Sequence, residues 1–190
     1  MTRRSAVAAV VLATIAGLGL AACSLARRTP AIRYYTLAPP GVPPSALGAP
    51  VRVGHFTADQ PYASERIAYR TSPYRLDYYT YHRWAADPRR MLAATTRDYL
   101  EQGAKEGAGS PPFEIEGHIR RLEEMDGEDS WEGALVLDLK VSRGGKRLLE
   151  RSYAESEPAG ARDPEAVVAA LSRALGRILD RLASELAAGD

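Results

Sequence analysis

At 190 residues, with a formal net charge of +1 and 26% charged against 45% apolar residues, the chain has neither the basic excess of a nucleic-acid binder nor the polarity of a disordered segment. A single cysteine, Cys23, excludes an internal disulfide framework. The three histidines, His55, His82 and His118, fall on different predicted elements without ligand spacing, so no metal and no cofactor is expected.

The chain opens on Met1-Thr-Arg-Arg-Ser, a basic start, followed by an apolar run over residues 6–20. This is the layout of a secretory signal, and the run falls short of the roughly 20 apolar residues that span a bilayer. Leu20-Ala21-Ala22-Cys23 matches the bacterial lipobox, in which the cysteine is acylated and becomes the mature N-terminus. The expected organisation is a signal peptide over 1–22, an acylated N-terminus and tether over 23–30, and one domain over 31–190. Ser24, standing where an Asp would retain the protein at the inner membrane, favours the outer membrane. Several acyl chains bury enough methylene groups for a stable anchor. The signal takes Arg3 and Arg4 with it, which leaves 23 basic residues against 24 acidic and no case for nucleic acid. The tether over residues 24–30 spans at most ~25 Å, so the domain is held close to the membrane.

Residues 32–37 form a first strand, bounded by prolines. Residues 38–50 carry five prolines and read as a loop. A second strand covers 51–56. Residues 64–70 and 76–81 make a hairpin closed by Thr71-Ser-Pro-Tyr74, with Leu76, Tyr78 and Thr80 on one face and Asp77, Tyr79 and Tyr81 on the other. Asp87 and Pro88 start a helix to about residue 102, with Met91, Leu92, Thr95, Tyr99 and Leu100 as its buried stripe and Gly103 at its end. Phe113, Ile115, Gly117 and Ile119 alternate with Glu114, Glu116, His118 and Arg120 in a half-buried strand, and residues 123–129 follow as an acidic turn. Leu135, Leu137, Leu139 and Val141 face the core from a strand over 134–141. Arg143-Gly-Gly-Lys146 turns the chain into a returning strand over 147–155. Asp163, Pro164 and Glu165 begin the last helix, whose Val168, Leu171, Leu175, Ile178, Leu182 and Leu186 recur at three- and four-residue spacing. Roughly six strands and two helices, each helix with one apolar face, give an α+β two-layer sandwich: a mixed, mostly antiparallel sheet with both amphipathic helices on one face.

Catalytic machinery is not apparent. Ser130 and Ser152 have no obvious histidine, and no phosphate-cradling glycine loop or nucleophile elbow occurs. Asp126, Glu128 and Asp129 lack the glycine and terminal glutamate of a calcium loop. The tyrosines stand out instead. Arg33-Tyr34-Tyr35 and Tyr78-Tyr79-Thr80-Tyr81 place aromatics on both faces of their strands, and exposed aromatics beside arginine mark interaction sites. Tyr79, Tyr81, Arg83 and Trp84 are the candidate partner-binding residues.

The lipobox, Tyr34-Tyr-Thr-Leu37, and Arg75-Leu-Asp-Tyr-Tyr-Thr-Tyr-His-Arg-Trp84 ahead of a Pro-started helix resemble the ABC-type transport auxiliary lipoproteins, best known through the paraquat-inducible protein C type. Tyr81, Arg83-Trp84-Ala85 and Pro88 match the second motif. The resemblance implies an outer-membrane lipoprotein without enzymatic activity. Its partners would be an MCE-type periplasmic protein and an inner-membrane ABC permease complex that move lipids between membranes, with docking by a homo-oligomeric ring of copies. The alternative is an outer-membrane assembly factor that binds lipopolysaccharide or a β-barrel protein.

Overall fold

Alternating apolar and polar side chains over residues 113–158 lay down the widest part of the sheet, and the rest of the chain is added to it. The computed structural model describes residues 30–104, 110–127 and 130–189, so Cys23, the signal peptide and nearly all of the tether lie outside the described residues. The described chain forms β1 (Arg33–Tyr35), β2 (Val51–Ala58), β3 (Arg66–Ser72), β4 (Arg75–Trp84), α1 (Pro88–Glu101), β5 (Phe113–Asp126), β6 (Trp131–Arg143), β7 (Lys146–Pro158) and α2 (Pro164–Ala188). All seven strands correspond to segments read as strands from the sequence, where the total was rounded to about six, and all join one sheet.

The strand order is β1-β4-β3-β5-β6-β7, with β2 also paired to β5. The long pairings, β5 with β6 and β6 with β7, are antiparallel. β1 runs parallel to β4, and both β2 and β3 run parallel to β5. β2 takes the front half of that edge (residues 113–119 of β5) and β3 the back half (residues 123–125). Between them the chain steps out through a 3-10 turn, Gln60–Tyr62. The open α+β sheet carries both helices on one face.

Each helix begins as its sequence dictates. The Asp87 side chain accepts the Arg89 backbone N–H at 2.9 Å with Pro88 at the first position, and Asp163 accepts that of Ala166 at 2.9 Å. On α1 the buried threonine is Thr96, not Thr95: the stripe runs Leu92–Thr96–Leu100, four residues apart, with Met91 and Tyr99 beside it. α2 buries Val167, Leu171, Leu175, Ile178, Leu179 and Leu182, and Tyr99 reaches across to bond Asp180 at 2.5 Å. The proline-rich loop is more than a connection. Leu47 and Ala49 are fully buried, and the Leu47 amide donates to the Gly103 carbonyl at 2.7 Å, which ties the loop to the end of α1. Gly144 and Gly145 both take positive φ in the hairpin turn, as the sequence demands.

The acidic turn expected over residues 123–129 is corrected by the structure. β5 continues to Asp126 and buries Glu123 and Glu124 completely. A bulge between Ile119 and Arg121 shifts the alternation, so a period counted from residue 113 fails there.

Close approach of α2 to the sheet depends on Gly133 of β6. A Cβ there would stand 2.8 Å from both the backbone nitrogen and the Cγ of Leu171. Gly133→Ala is therefore expected to lower stability by about 1–3 kcal/mol, through overpacking against backbone that cannot yield. A shift in the denaturant midpoint checks it, with Gly160→Ala, open on all sides, as the neutral comparison.

Candidate docking surface

The two tyrosine-rich stretches, some fifty residues apart in the chain, meet as neighbouring strands. β1 and β4 pair in register Arg33–His82, Tyr34–Arg83 and Tyr35–Trp84. The Ala85 amide donates to the Tyr35 carbonyl at 2.7 Å, and the Trp84 amide to that of Glu65 at 2.8 Å, which fixes β4 between β1 and the start of β3. β1 forms the end of the sheet. Beside it a groove of about 910 Å³ opens between residues 33–40 and the first turns of α2, floored by Tyr35, Val168 and Ala169 and flanked by Arg33 and Arg173.

The four candidate residues have different places on this surface. Trp84 is 1% exposed and packs in the core, so it offers no surface to a partner. Tyr79 is half-buried and its hydroxyl donates to the Glu124 carboxylate, 2.9 and 3.0 Å from the two oxygens. Tyr81 is half-buried as well. Arg83 is half-buried like Tyr79, with its Nε buried and lacking an acceptor. The register of β3 on β4 jumps between Arg66–Arg83 and Ala68–Tyr78, so β4 bulges in between. That irregularity brings Tyr79 and His82 together, ring centroids 5.3 Å apart, and His82 Nδ1 is hydrogen-bonded to the Tyr35 hydroxyl at 2.8 Å. Burial, and then the charge of Arg33, lowers the His82 pKa, so its ring stays neutral within this cluster.

Two adjacent carboxylates support the surface from behind, one toward each face of the sheet. Glu124 lies opposite Gly133, which faces α2, so Glu124 is on the helix side and Glu123 on the other. Glu123 has two cations, Arg70 at 2.8 Å and Arg121 at 3.3 Å, and accepts the Tyr62 hydroxyl at 2.7 Å. Burial first, and then Glu123, pushes the Tyr62 hydroxyl up to about 12. Glu124 has the Tyr79 hydroxyl and no cation. Burial pushes its pKa up to about 7, the charge of Asp126 adds to that, and only the Tyr79 hydrogen bond opposes it. Neither residue was foreseen from sequence. The available signal was Leu122 and Met125 flanking the pair, with the first turn residues only at Asp126-Gly127.

A second constellation lies on the helix-free face. Thr57 Oγ1 is 2.7 Å from His118 Nδ1, and His118 Nε2 is 2.9 Å from Asp59 Oδ1. The atoms resemble a hydroxyl–base–acid relay that the serines of the sequence do not offer. Acyl transfer also needs backbone N–H groups aimed at a developing oxyanion, and β5, which carries His118, is paired on both edges. The surrounding depression of about 760 Å³ is lined by charges that pair with one another, Arg120 with Asp138 and Lys140 with Glu150, each at 3.3 Å. Among the described residues no group of three or more His, Cys, Asp or Glu side chains is placed to hold a metal ion.

A family model described as an ABC-type transport auxiliary lipoprotein component matches residues 35–183. No curated protein sequence matches the chain. Among solved structures, a Xanthomonas campestris protein of the DUF330 family is similar at 21% identity and a TM-score of 0.64, over 79% of this chain and 92% of that one. A second, a protein described only as uncharacterized, is similar at 14% identity and a TM-score of 0.66, over 82% of this chain and 99% of that one. At such identities these two likenesses speak for the fold.

The folded chain holds the Glu124 proton more tightly than the unfolded chain, about 7 against 4.5. The stability linked to it is complete below pH 4.5 and is lost as pH rises through 7. Glu124→Gln is expected to remove this decline, which is on the order of 2–3 kcal/mol for a fully buried carboxyl. Denaturant titrations of both proteins at pH 5 and pH 8 check it. A wild-type slope shared by the variant would refute the assignment.

Proposed function

The chain belongs to the family of ABC-type transport auxiliary lipoprotein components, and on that premise we propose that it is the outer-membrane docking component of an ABC/MCE-type intermembrane lipid transport system. It performs no chemistry of its own. Acylated Cys23 holds the domain at the periplasmic face of the outer membrane, and the β1–β4 end of the sheet receives the MCE-type periplasmic protein that the inner-membrane permease complex drives. The observation that carries this reading is the pairing of the two tyrosine-rich stretches in register on the open end of the sheet. Residues that would serve only as sheet filler have no need to converge there.

Each part has a physical task. Among the described residues no helix is long and apolar enough to cross a membrane, and an acyl anchor attaches the chain without one. Trp84 and Tyr79 fix the strand from the core side, through packing and through Glu124. Tyr81 and Arg83 face the partner. Aromatic side chains bury large area with little loss of rotamer freedom, and arginine adds a fixed fork of donors, so the two dominate interface energetics. The energy for transport comes from the ATPase of the system, so this chain needs only to hold position.

A photo-crosslinking residue replacing Tyr81 is expected to capture an MCE-type protein in cells, and Cys23→Ala is expected to abolish capture while the domain still folds. Mass spectrometry of the adduct gives the answer. An adduct with a β-barrel protein in place of an MCE-type protein would sink the reading.

A further inference from the structure

Two arginines on the helix-free face of the β1–β4 end, Arg66 and Arg83, find no carboxylate among the described residues. Register places Tyr34, Arg83 and Arg66 in one row across β1, β4 and β3, and residues opposite one another on adjacent strands share a face. Trp84 points into the core, so Arg83 points away from the helices. Arg66 stacks over Tyr78, its Cζ 3.9 Å from the ring centroid, and Tyr78 is held in turn by its hydroxyl to the Pro61 carbonyl at 3.2 Å. Tyr34 is 61% exposed at the end of the row.

Most other arginines of the sheet find carboxylates: Arg70 and Arg121 on Glu123, Arg120 on Asp138, Arg151 on Glu185. Among the described residues neither Arg66 nor Arg83 has an ion pair, and the Arg83 Nε is buried without an acceptor. A buried donor left unpaired is costly and rare in folded chains. Arg66, opposite Arg83 on β3, is fixed over the Tyr78 ring, and Tyr34 lies opposite Arg83 on β1.

We propose that this row binds carboxylate side chains on an extended acidic segment of a partner protein, which rests on the docking reading above and gives its partner a chemistry. A guanidinium takes a carboxylate through two parallel N–H···O bonds, and flanking aromatic rings exclude the water that would compete. Arg83 is recessed between its neighbours, so a single side chain reaches it where a flat layer of lipid headgroups does not. Among the described residues no strand pairs with the outer edge of β1, along which an extended segment can lie.

The experiment places a photo-crosslinking residue at Tyr34 in the intact lipidated protein, captures the partner in cells and sequences the attached peptide. The expected peptide belongs to another protein and carries Asp or Glu at the site of attachment. The double variant Arg66→Glu/Arg83→Glu is expected to lower capture about tenfold, and replacing the captured carboxylates by arginine is expected to restore it. If the double variant does not fold, exposed Arg66→Glu alone carries the test, with a fall of several-fold. A peptide without carboxylates, a second copy of this chain, a lipid adduct, no adduct at all, or capture undiminished by charge reversal overturns the proposal. The two readings fail separately. An acidic peptide from a protein outside the transport system leaves the charge row standing and removes the transport partner. A transport component held through a segment without carboxylates does the reverse.

Discussion

The structure depends on one strand, β5, having partners along both of its edges. β6 covers one edge along nearly its full length, while β2 and β3 share the other end to end, so the fold closes only if the chain can leave that edge and return to it. The 3-10 turn Gln60–Tyr62 performs that detour, and the Asp59 amide anchors its start on the Ile119 carbonyl at 2.9 Å. The bulge in β5 falls at the same level, between Ile119 and Arg121. Beyond it, alternation resumes one residue out of step, and two glutamates enter the interior on opposite faces. Everything at the β1–β4 end is therefore built on a piece of sheet whose polar groups had to be satisfied locally. Glu123 takes two arginines and a tyrosine hydroxyl; Glu124 takes Tyr79 and retains a proton up to about pH 7.

The other end of the sheet is secured differently. β7 is an edge strand, and α2 covers its inner side through Arg173, Arg177 and Arg181, which meet Glu155 and Glu157, and through Glu185, which takes Arg151 and the Tyr153 hydroxyl. The arginines are about half exposed, so each pair adds no more than about 1 kcal/mol. Their value is geometric: they fix the helix along the strand, while Leu171, Leu175, Ile178 and Leu182 supply the burial.

The division between what the sequence discloses and what it withholds follows these two ends. α2 is legible almost residue by residue, because its cap, its proline and its 3.6-residue stripe agree. β6, β7 and their Gly144-Gly145 turn are legible for the same reason at period two. The acidic turn was misread because Glu123 and Glu124 look solvated in a string of letters. What makes them buried is a bulge, and the cations and hydroxyls that meet them arrive from β3, β4 and the 3-10 turn. Thr95 was preferred to Thr96 on α1 by a similar margin of one residue. Of the candidate site, the stretch itself was legible, but the sorting of Tyr79 and Trp84 to the helix side from Arg83 on the opposite face was not, since it turns on the irregular register of β4 against β3.

That sorting decides how a docking reading can work physically. A strand with aromatics on both faces would ordinarily be unstable at the end of a sheet, because one set of rings must meet water. Here Tyr79, His82 and Tyr35 form a cluster of ring contacts and a hydrogen bond while Trp84 packs in the core, so the strand is held without help from a partner. The outward set, Tyr34, Tyr78, Arg66 and Arg83, is thereby presented on a rigid backbone. Binding then loses little conformational freedom, and contacts made there contribute to affinity rather than to ordering the surface. A rigid edge held by buried polar groups suits a component whose task is to hold another protein in place.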